Sequence, residues 1–395
     1  MLTTRDILAK LISFDTTSRN PNRALIDYIA NLLQEHGIES VLIPNEDNTK
    51  ANLYATIGPT DKPGIMLSGH TDVVPVDGQD WTKPAFELTH SDQRYYGRGT
   101  ADMKGFVACA LTAAINAAKQ HAGQNGNGKA QLKTPLHLAF SYDEEIGCVG
   151  VHSLLDMLQQ APVKPSMCIV GEPTSLTVAT KHKGKTSVFA TCTGREGHSA
   201  LAPNALNAIH LACDLVSIVR EKQEEIRNRC SATDLSDIPY TTVHVGRIHA
   251  GQALNIVPNL CTVNFEIRND SADNPQDILD EIYQSAATLV QKARQQASEA
   301  AIEFEILNTY PGLNTGTDTE VVEFVKSLVG ANDTSYVAFG TEGGLFSTQL
   351  NIPTVVCGPG SMAQGHKPDE YIEVEQMQRC EVMMERLVAS LVDPG

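Results

Sequence analysis

The chain alternates short apolar runs with longer segments of helical period, and several of the runs break off at histidine or an acid. Ile65–Gly69 stops at His70, Leu136–Phe140 runs into Tyr142-Asp143-Glu144-Glu145, and Met167–Val170 runs into Gly171-Glu172-Pro173. Between the first two, Met103–Gln120 carries Val107, Leu111, Ala114 and Ala118 on one face, which is helical spacing. Strands separated by helices of this length predict a mostly parallel α/β sheet. Ligands of such sheets bind beyond the carboxyl ends of the strands, where these polar residues stand.

The texture changes after about residue 183. Strand-like 185–193, a helix over 203–222, strand-like 241–249 and 260–268, and a helix over 275–297 follow in order. This β-α-β-β-α order suits a small two-layer unit with its own sheet. The first texture then resumes with a helix over 318–329, a strand at Pro353–Cys357 and a closing helix over 374–391. The economical reading is a catalytic domain in two parts, 1–182 and 309–395, with an α+β domain inserted at 183–308. A Gly/Asn-rich patch at 122–133 has no apolar period to pack.

With 42% hydrophobic residues in 395, the chain can build a sizeable core, which excludes intrinsic disorder. Its formal charge of −17 opposes binding to nucleic acid or to anionic membrane surfaces. No run approaches the roughly 18 apolar residues of a membrane span. The start, MLTTRDILAKLISFD, lacks a signal peptide's uninterrupted apolar segment, so a cytoplasmic protein is expected. Nine scattered cysteines without a C-x-x-C pair argue for reduced thiols rather than a disulfide framework or a thiolate zinc site.

Two further polar residues join the strand ends. Asp102 closes Gly97-Arg98-Gly99-Thr100-Ala101-Asp102 just before a helix, and His366 follows Gly358-Pro359-Gly360 after the strand at 353–357. All could meet at one rim of the sheet. Imidazole and carboxylate without thiolate suit zinc, cobalt or manganese. Two histidines and three carboxylates suit a pair of divalent ions with one carboxylate bridging them. Three carboxylates under two such ions leave one positive charge, which favours a hydroxide. Asp72, two residues from His70, can point the same way and accept its other ring N–H. Glu144 and Glu145 can splay at a strand end, and neighbouring carboxylates raise one another's pKa, which suits a general base. Taken singly, each has a plainer reading: a polar turn for His70 and Asp72, a solvated face for the glutamates, a helix N-cap for Asp102, a loop for His366. Their joint order and placement carry the argument. His36, His90, His121, His137, His152, His210, His244 and His249 lack such a context and are read as structural.

Five blocks, SGHTDVVPVDG (68–78), GRGTADMKG (97–105), DEEIGCVG (143–150), GEPTS (171–175) and GHKPDEY (365–371), resemble the M20 family of metallopeptidases and deacylases, and the likeness spans essentially the whole chain. Within it, KHKG (181–184), GHSALAP (197–203), ALNIVP (253–258) and FGTEGGLF (339–346) are most similar to the acetylornithine deacetylase branch. The resemblance implies a metal-dependent exopeptidase-like catalytic domain, with the insert as lid and dimerisation module. It implies two divalent ions per subunit, zinc or cobalt, one held by His70 and Glu172, the other by Glu145 and His366, with Asp102 bridging. Asp72 would orient His70, and Glu144 would be the general base. His198 would stabilise the oxyanion; capping the following helix is its plainer role. Asn255 and Arg268 match substrate-contacting positions, Arg268 for a carboxylate. Glu342 in GTEGGLF could receive a substrate ammonium; a surface turn is the alternative. The resemblance also implies a cis peptide at Asp102–Met103. The implied reaction is removal of the acetyl group from N-acetyl-ornithine in arginine biosynthesis. The partners expected are a small N-acyl amino acid and a second copy of the chain. The rivals are succinyl-diaminopimelate desuccinylase, aminoacylase or dipeptidase activity on the same scaffold, or a metal-free relative without catalysis.

Overall fold

A computed structural model describes residues 2–122, 132–229 and 238–392, so the Gly/Asn-rich patch lies almost wholly outside the described residues. The chain divides into two compact units, one formed by 1–182 with 313–395 and the other by 183–312.

The first unit is built on a nine-stranded sheet. Its order is Ser40–Pro44, Ala51–Ile57, Leu136–Ser141, Ile65–His70, Met167–Pro173, Thr354–Gly358, Val178–His182 and Leu313–Asn314, with Thr334–Val337 also paired to Val178–His182. The four central strands run parallel and every residue in them is buried. Burial on both faces explains why they read as apolar runs rather than as alternation. Towards the ends, Ser40–Pro44, Ala51–Ile57 and Leu136–Ser141 pair antiparallel, as do Thr354–Gly358, Val178–His182 and Leu313–Asn314. Thr334–Val337 pairs parallel with Val178–His182, so the expected parallel pairing holds at the centre and at this one flank, and the sheet as a whole is mixed. A short turn joins the first two strands, and parallel pairing would need a long crossover.

Alternation along Ile65–His70 sorts its residues between the faces. A side chain at Gly69 would meet Met103 and Val107, so that face lies under the helix Lys104–His121, and Ser68 and His70 face the other way. The helix is rich in alanine, with high helical propensity and little bulk. It packs with Thr4–Ile12 and Val374–Ser390 over the sheet. Gly171 marks the closest approach, because a Cβ there would lie 2.0 Å from Cγ of Phe106.

The second unit has an antiparallel sheet in the order Thr242–Ala250, Leu260–Arg268, Lys185–Thr193, Ala301–Tyr310. Strict alternation along Lys185–Thr193 and Leu260–Arg268 buries one face against the helices Ala208–Arg229 and Pro275–Ala293. Two sequence readings differ here. The helix expected from 203 starts at Ala208, preceded by a 3₁₀ segment, Ser199–Asn204. Asn207 Oδ1 accepts the N–H of Ile209 at 2.8 Å and sets that start. The strand Ala301–Tyr310 went unread, although Ile302, Phe304 and Ile306 alternate with Glu303 and Glu305. Among the described residues, no helix is long and apolar enough to cross a membrane.

Candidate metal centre

The site forms where the central strands of the first unit end. His70 is the last residue of its strand and Glu172 lies near the end of the next one. The register that pairs Ser68 with Val170 runs on to set His70 Nε2 3.6 Å from Glu172 Oε1. Leu136–Ser141 leads into the loop bearing Glu144 and Glu145. Asp102 precedes the helix that covers the opposite face, and the Asp102–Met103 peptide bond is cis. His366 comes from the loop after Thr354–Gly358, with φ at +61°.

Asp102 joins the two histidines. Its Oδ1 lies 3.0 Å from His70 Nε2 and its Oδ2 lies 3.1 Å from His366 Nε2. His366 Nε2 also lies 3.0 Å from Glu145 Oε2. Donor atoms of His70, Asp102 and Glu145 fall within 4.8 Å of one another, as do those of His70, Glu144 and Glu172. Glu144 Oε1 accepts the thiol of Cys148 at 3.4 Å.

The electrostatics record the crowding of like charge. Burial raises the Glu172 carboxyl well above the ordinary carboxylate range, and Asp102 adds to this. Burial, then Asp102, pushes Glu145 up to about 7. Burial also lifts Glu144 well above its usual value, opposed by His70 and reinforced by Glu145, Glu342 and Asp72. Burial disfavours protonated His70, but Asp102, Asp72 and Glu172 outweigh it and hold its pKa well above normal. Contacts with Asp102 and Glu145 push His366 up to about 10. Burial opposes ionisation of Asp102, yet the two histidines keep it well below the usual carboxylate range. Carboxylates this close, with imidazole nitrogens turned towards them and no thiolate, form a donor set that divalent zinc, cobalt or manganese fits. A cation there would supply the positive charge these neighbours lack.

The structure thus gathers His70, Asp72, Asp102, Glu144, Glu145, Glu172 and His366 in the first unit. Asp72 faces His70 with two groups: His70 Nδ1 meets the backbone carbonyl of Asp72 at 2.9 Å and its carboxylate Oδ1 at 3.4 Å, and that carboxylate also serves other residues. Glu342 is buried, not on a surface turn. It precedes the helix Gly343–Leu350, its Oε1 has no hydrogen-bond partner among the described residues, and burial pushes its pKa up to about 7 against the lowering effect of the Ser141 and Ser68 hydroxyls. His198, Asn255 and Arg268 belong to the second unit. There the two-stranded ribbon of Gly197–His198 and Ile256–Val257 sets Ser199 to donate its N–H to the Asn255 carbonyl at 3.0 Å. His198 is exposed, and its Nδ1 accepts the N–H of Ala200 at 3.1 Å, the capping role weighed above. Arg268 donates to Glu266 Oε1 at 3.0 Å and to the Tyr310 hydroxyl at 3.3 Å.

Several supporting residues escaped the sequence reading. Lys50 Nζ holds both oxygens of Asp143, at 2.6 and 2.8 Å, beside the Glu144 loop. Buried His182 pairs with Thr341 Oγ1 at 3.0 Å, next to Glu342. Buried Lys104 donates to the carbonyls of Leu11 and Phe14. Arg98 and Glu370 form a buried ion pair at 2.6 Å. The last three stood inside the quoted sequence blocks or next to one, but no local pattern names their partners.

Comparison with known proteins agrees with this architecture. The pattern of Peptidase family M20/M25/M40 matches residues 66–390. An acetylornithine deacetylase of Myxococcus xanthus is 34% identical over 98% of this chain and 96% of its own length. One from Pasteurella multocida is 32% identical over 95% and 93%. Among solved structures, an M20 family metallo-carboxypeptidase of Sulfolobus solfataricus superposes with a TM-score of 0.75 at 19% identity, covering 98% of this chain and 99% of its own. A dinuclear metal-binding M20 peptidase of Bacillus subtilis gives 0.68 at 16%, covering 98% and 97%. The strand-end site and these likenesses agree: the chain belongs to peptidase family M20/M25/M40 and is a metal-dependent hydrolase acting on amides.

Proposed function

We propose that the chain removes the acetyl group from N2-acetyl-L-ornithine, giving L-ornithine and acetate. The near full-length likeness to acetylornithine deacetylases supports the substrate. The observation that carries the chemistry is Asp102, with one oxygen against each histidine. His70 and Glu172 would hold one divalent ion, His366 and Glu145 a second, and Asp102 would bridge them. Zinc and cobalt both suit these donors. Such ions supply Lewis acidity towards the acyl carbonyl and acidify water.

The protein's own groups account for the proton traffic. Glu144, its pKa raised by burial, takes a proton from the attacking water as the oxygen bonds to the acetyl carbon. It returns that proton to the departing amine nitrogen as the amide C–N bond breaks. His198 donates to the tetrahedral oxyanion, Asn255 and Arg268 contact the substrate, and Arg268 takes its carboxylate. Glu342 takes the terminal ammonium, for which a buried carboxylate with an unpartnered oxygen is suited. The second unit serves as lid and as the face of a homodimer. Among the described residues its sheet ends in the strand Thr242–Ala250, which has one unpaired edge and exposes Ile248. The reaction belongs to cytoplasmic arginine biosynthesis.

The test is turnover of N-acetyl-ornithine beside N-succinyl-diaminopimelate and a neutral N-acetyl amino acid, after chelation and after zinc or cobalt is restored. Preference for acetyl-ornithine, lost and regained with metal, is the expected result. Metal-dependent activity on another of the three retains the centre and discards the substrate. No metal uptake discards the centre.

A further inference from the structure

We propose that Glu370 is a positioning residue that sets the backbone bearing Asp102 and ties it to the loop bearing His366. Glu370 is 1% exposed, and its Oε1 accepts three backbone N–H groups, from Gly99 at 3.1 Å, Ala101 at 2.9 Å and Asp102 at 3.1 Å. Amides converging on one carboxylate oxygen fix the path of the turn, with φ of Gly99 at +86°. Its Oε2 accepts from Arg98 Nη1 at 2.6 Å, and its own carbonyl accepts the N–H of Gly97 at 2.9 Å. Glu370 thus grips the segment from Gly97 to Asp102 at five points.

Arg98, equally buried, extends the connection. Its Nη2 donates to Gln79 Oε1 at 2.6 Å, and Gln79 Nε2 donates to the carbonyl of His366 at 2.9 Å. The indole N–H of Trp81 reaches the same Gln79 oxygen at 3.0 Å, and its ring lies 5.0 Å from the Arg98 guanidinium carbon. A continuous line therefore runs from the Asp102 N–H through Glu370, Arg98 and Gln79 to the His366 carbonyl. Asp102 and His366 are the pair whose side chains meet at 3.1 Å. A buried ion pair carries a desolvation penalty and is weak as a source of stability alone. Here it locks two loops in one register, and that register aligns the ligands.

This rests on the metal reading above, and the experiment separates the two. Wild type, Glu370→Gln and Gln79→Ala are titrated with Zn²⁺ against a competing chelator, with thermal unfolding of the ion-free proteins measured alongside. Glu370→Gln is expected to bind zinc about 10- to 100-fold more weakly, as for other supports behind metal ligands. Gln79→Ala, half-buried and close to the surface, is expected to weaken binding about threefold or more with its ion-free unfolding temperature unchanged. If wild type takes up no zinc, the metal reading falls and the proposal with it. If wild type binds and both variants fold and bind within about twofold of it, Glu370 is not a positioning residue. Should Glu370→Gln fail to fold, Gln79→Ala decides by the same criterion.

Discussion

The carboxylate of Asp72 seats Glu144: its Oδ1 accepts the backbone N–H of Glu144 at 3.1 Å. Its Oδ2 accepts the N–H of Glu145 at 3.3 Å and the hydroxyl of Ser18 at 2.7 Å. One buried side chain therefore sets the proposed base and a proposed ligand together, while the carbonyl of the same residue fixes the His70 ring. Asp72→Asn keeps the volume but turns an amide donor towards groups that need acceptors. We expect kcat to fall about 10- to 100-fold, and zinc affinity to weaken with it, because Glu144 and Glu145 lose one anchor. Unchanged kcat and unchanged zinc affinity in a folded Asp72→Asn protein would refute this role.

Glu144 is the proposed proton carrier, although its carboxylate falls within 4.8 Å of the donor atoms of His70 and Glu172. Glu144→Gln preserves shape and removes basicity. Turnover should drop about 10²- to 10⁴-fold, the usual contribution of a general base. Zinc content, measured by elemental analysis after gel filtration, should stay near that of wild type. Retained turnover would remove the assignment, and lost zinc would move Glu144 among the ligands.

The strand ends were legible because buried central strands write themselves as apolar runs, and the polar residue that ends each run stands out. His70, Glu172 and the Glu144–Glu145 pair were found this way. Asp102 and His366 were placed by the loops around them. What stayed hidden depends on contacts between distant segments. Glu370 meets Gly99, and Lys50 meets Asp143, across separations that no local pattern reports. The antiparallel flanks escaped because Ser40–Pro44 is half exposed and carries a mixed pattern. The added contact of the Asp72 carbonyl with His70 turns on backbone geometry, and the spacing His-x-Asp is silent on that.

Glu342 tests the choice of substrate. If its carboxylate takes the ammonium of N-acetyl-ornithine, Glu342→Gln should lower kcat/KM for that substrate about 30-fold, or about 2 kcal/mol, the lower range for losing one partner of a buried charged pair. A neutral N-acetyl amino acid should change by no more than about threefold, since it brings no cation to pair. Equal losses on both substrates would instead mean that Glu342 acts through Glu144, whose pKa it helps to raise.

Proton release should accompany metal uptake. In the ion-free protein Glu145 titrates at about 7 and His366 at about 10, against ordinary values of 4.5 and 6.5. Both therefore hold protons at pH 6 that an ion must displace, because ligands bind metal deprotonated. Calorimetry of zinc binding in buffers of different ionisation enthalpy should show net proton release near pH 6, and affinity should rise with pH. The stability sign follows from the same shifts. Between its ordinary and its raised pKa each group carries more proton in the folded than in the unfolded chain. Stability of the ion-free protein then falls as pH rises, from about 4.5 to about 7 for Glu145 and from about 6.5 to about 10 for His366. Asp102, held low, acts oppositely but only in stronger acid. Zinc removes the proton requirement, so the gap in Tm between zinc-loaded and chelated protein should widen from pH 5.5 to pH 8. A constant gap, with no protons released on binding, would show that the ions do not bind through Glu145 and His366.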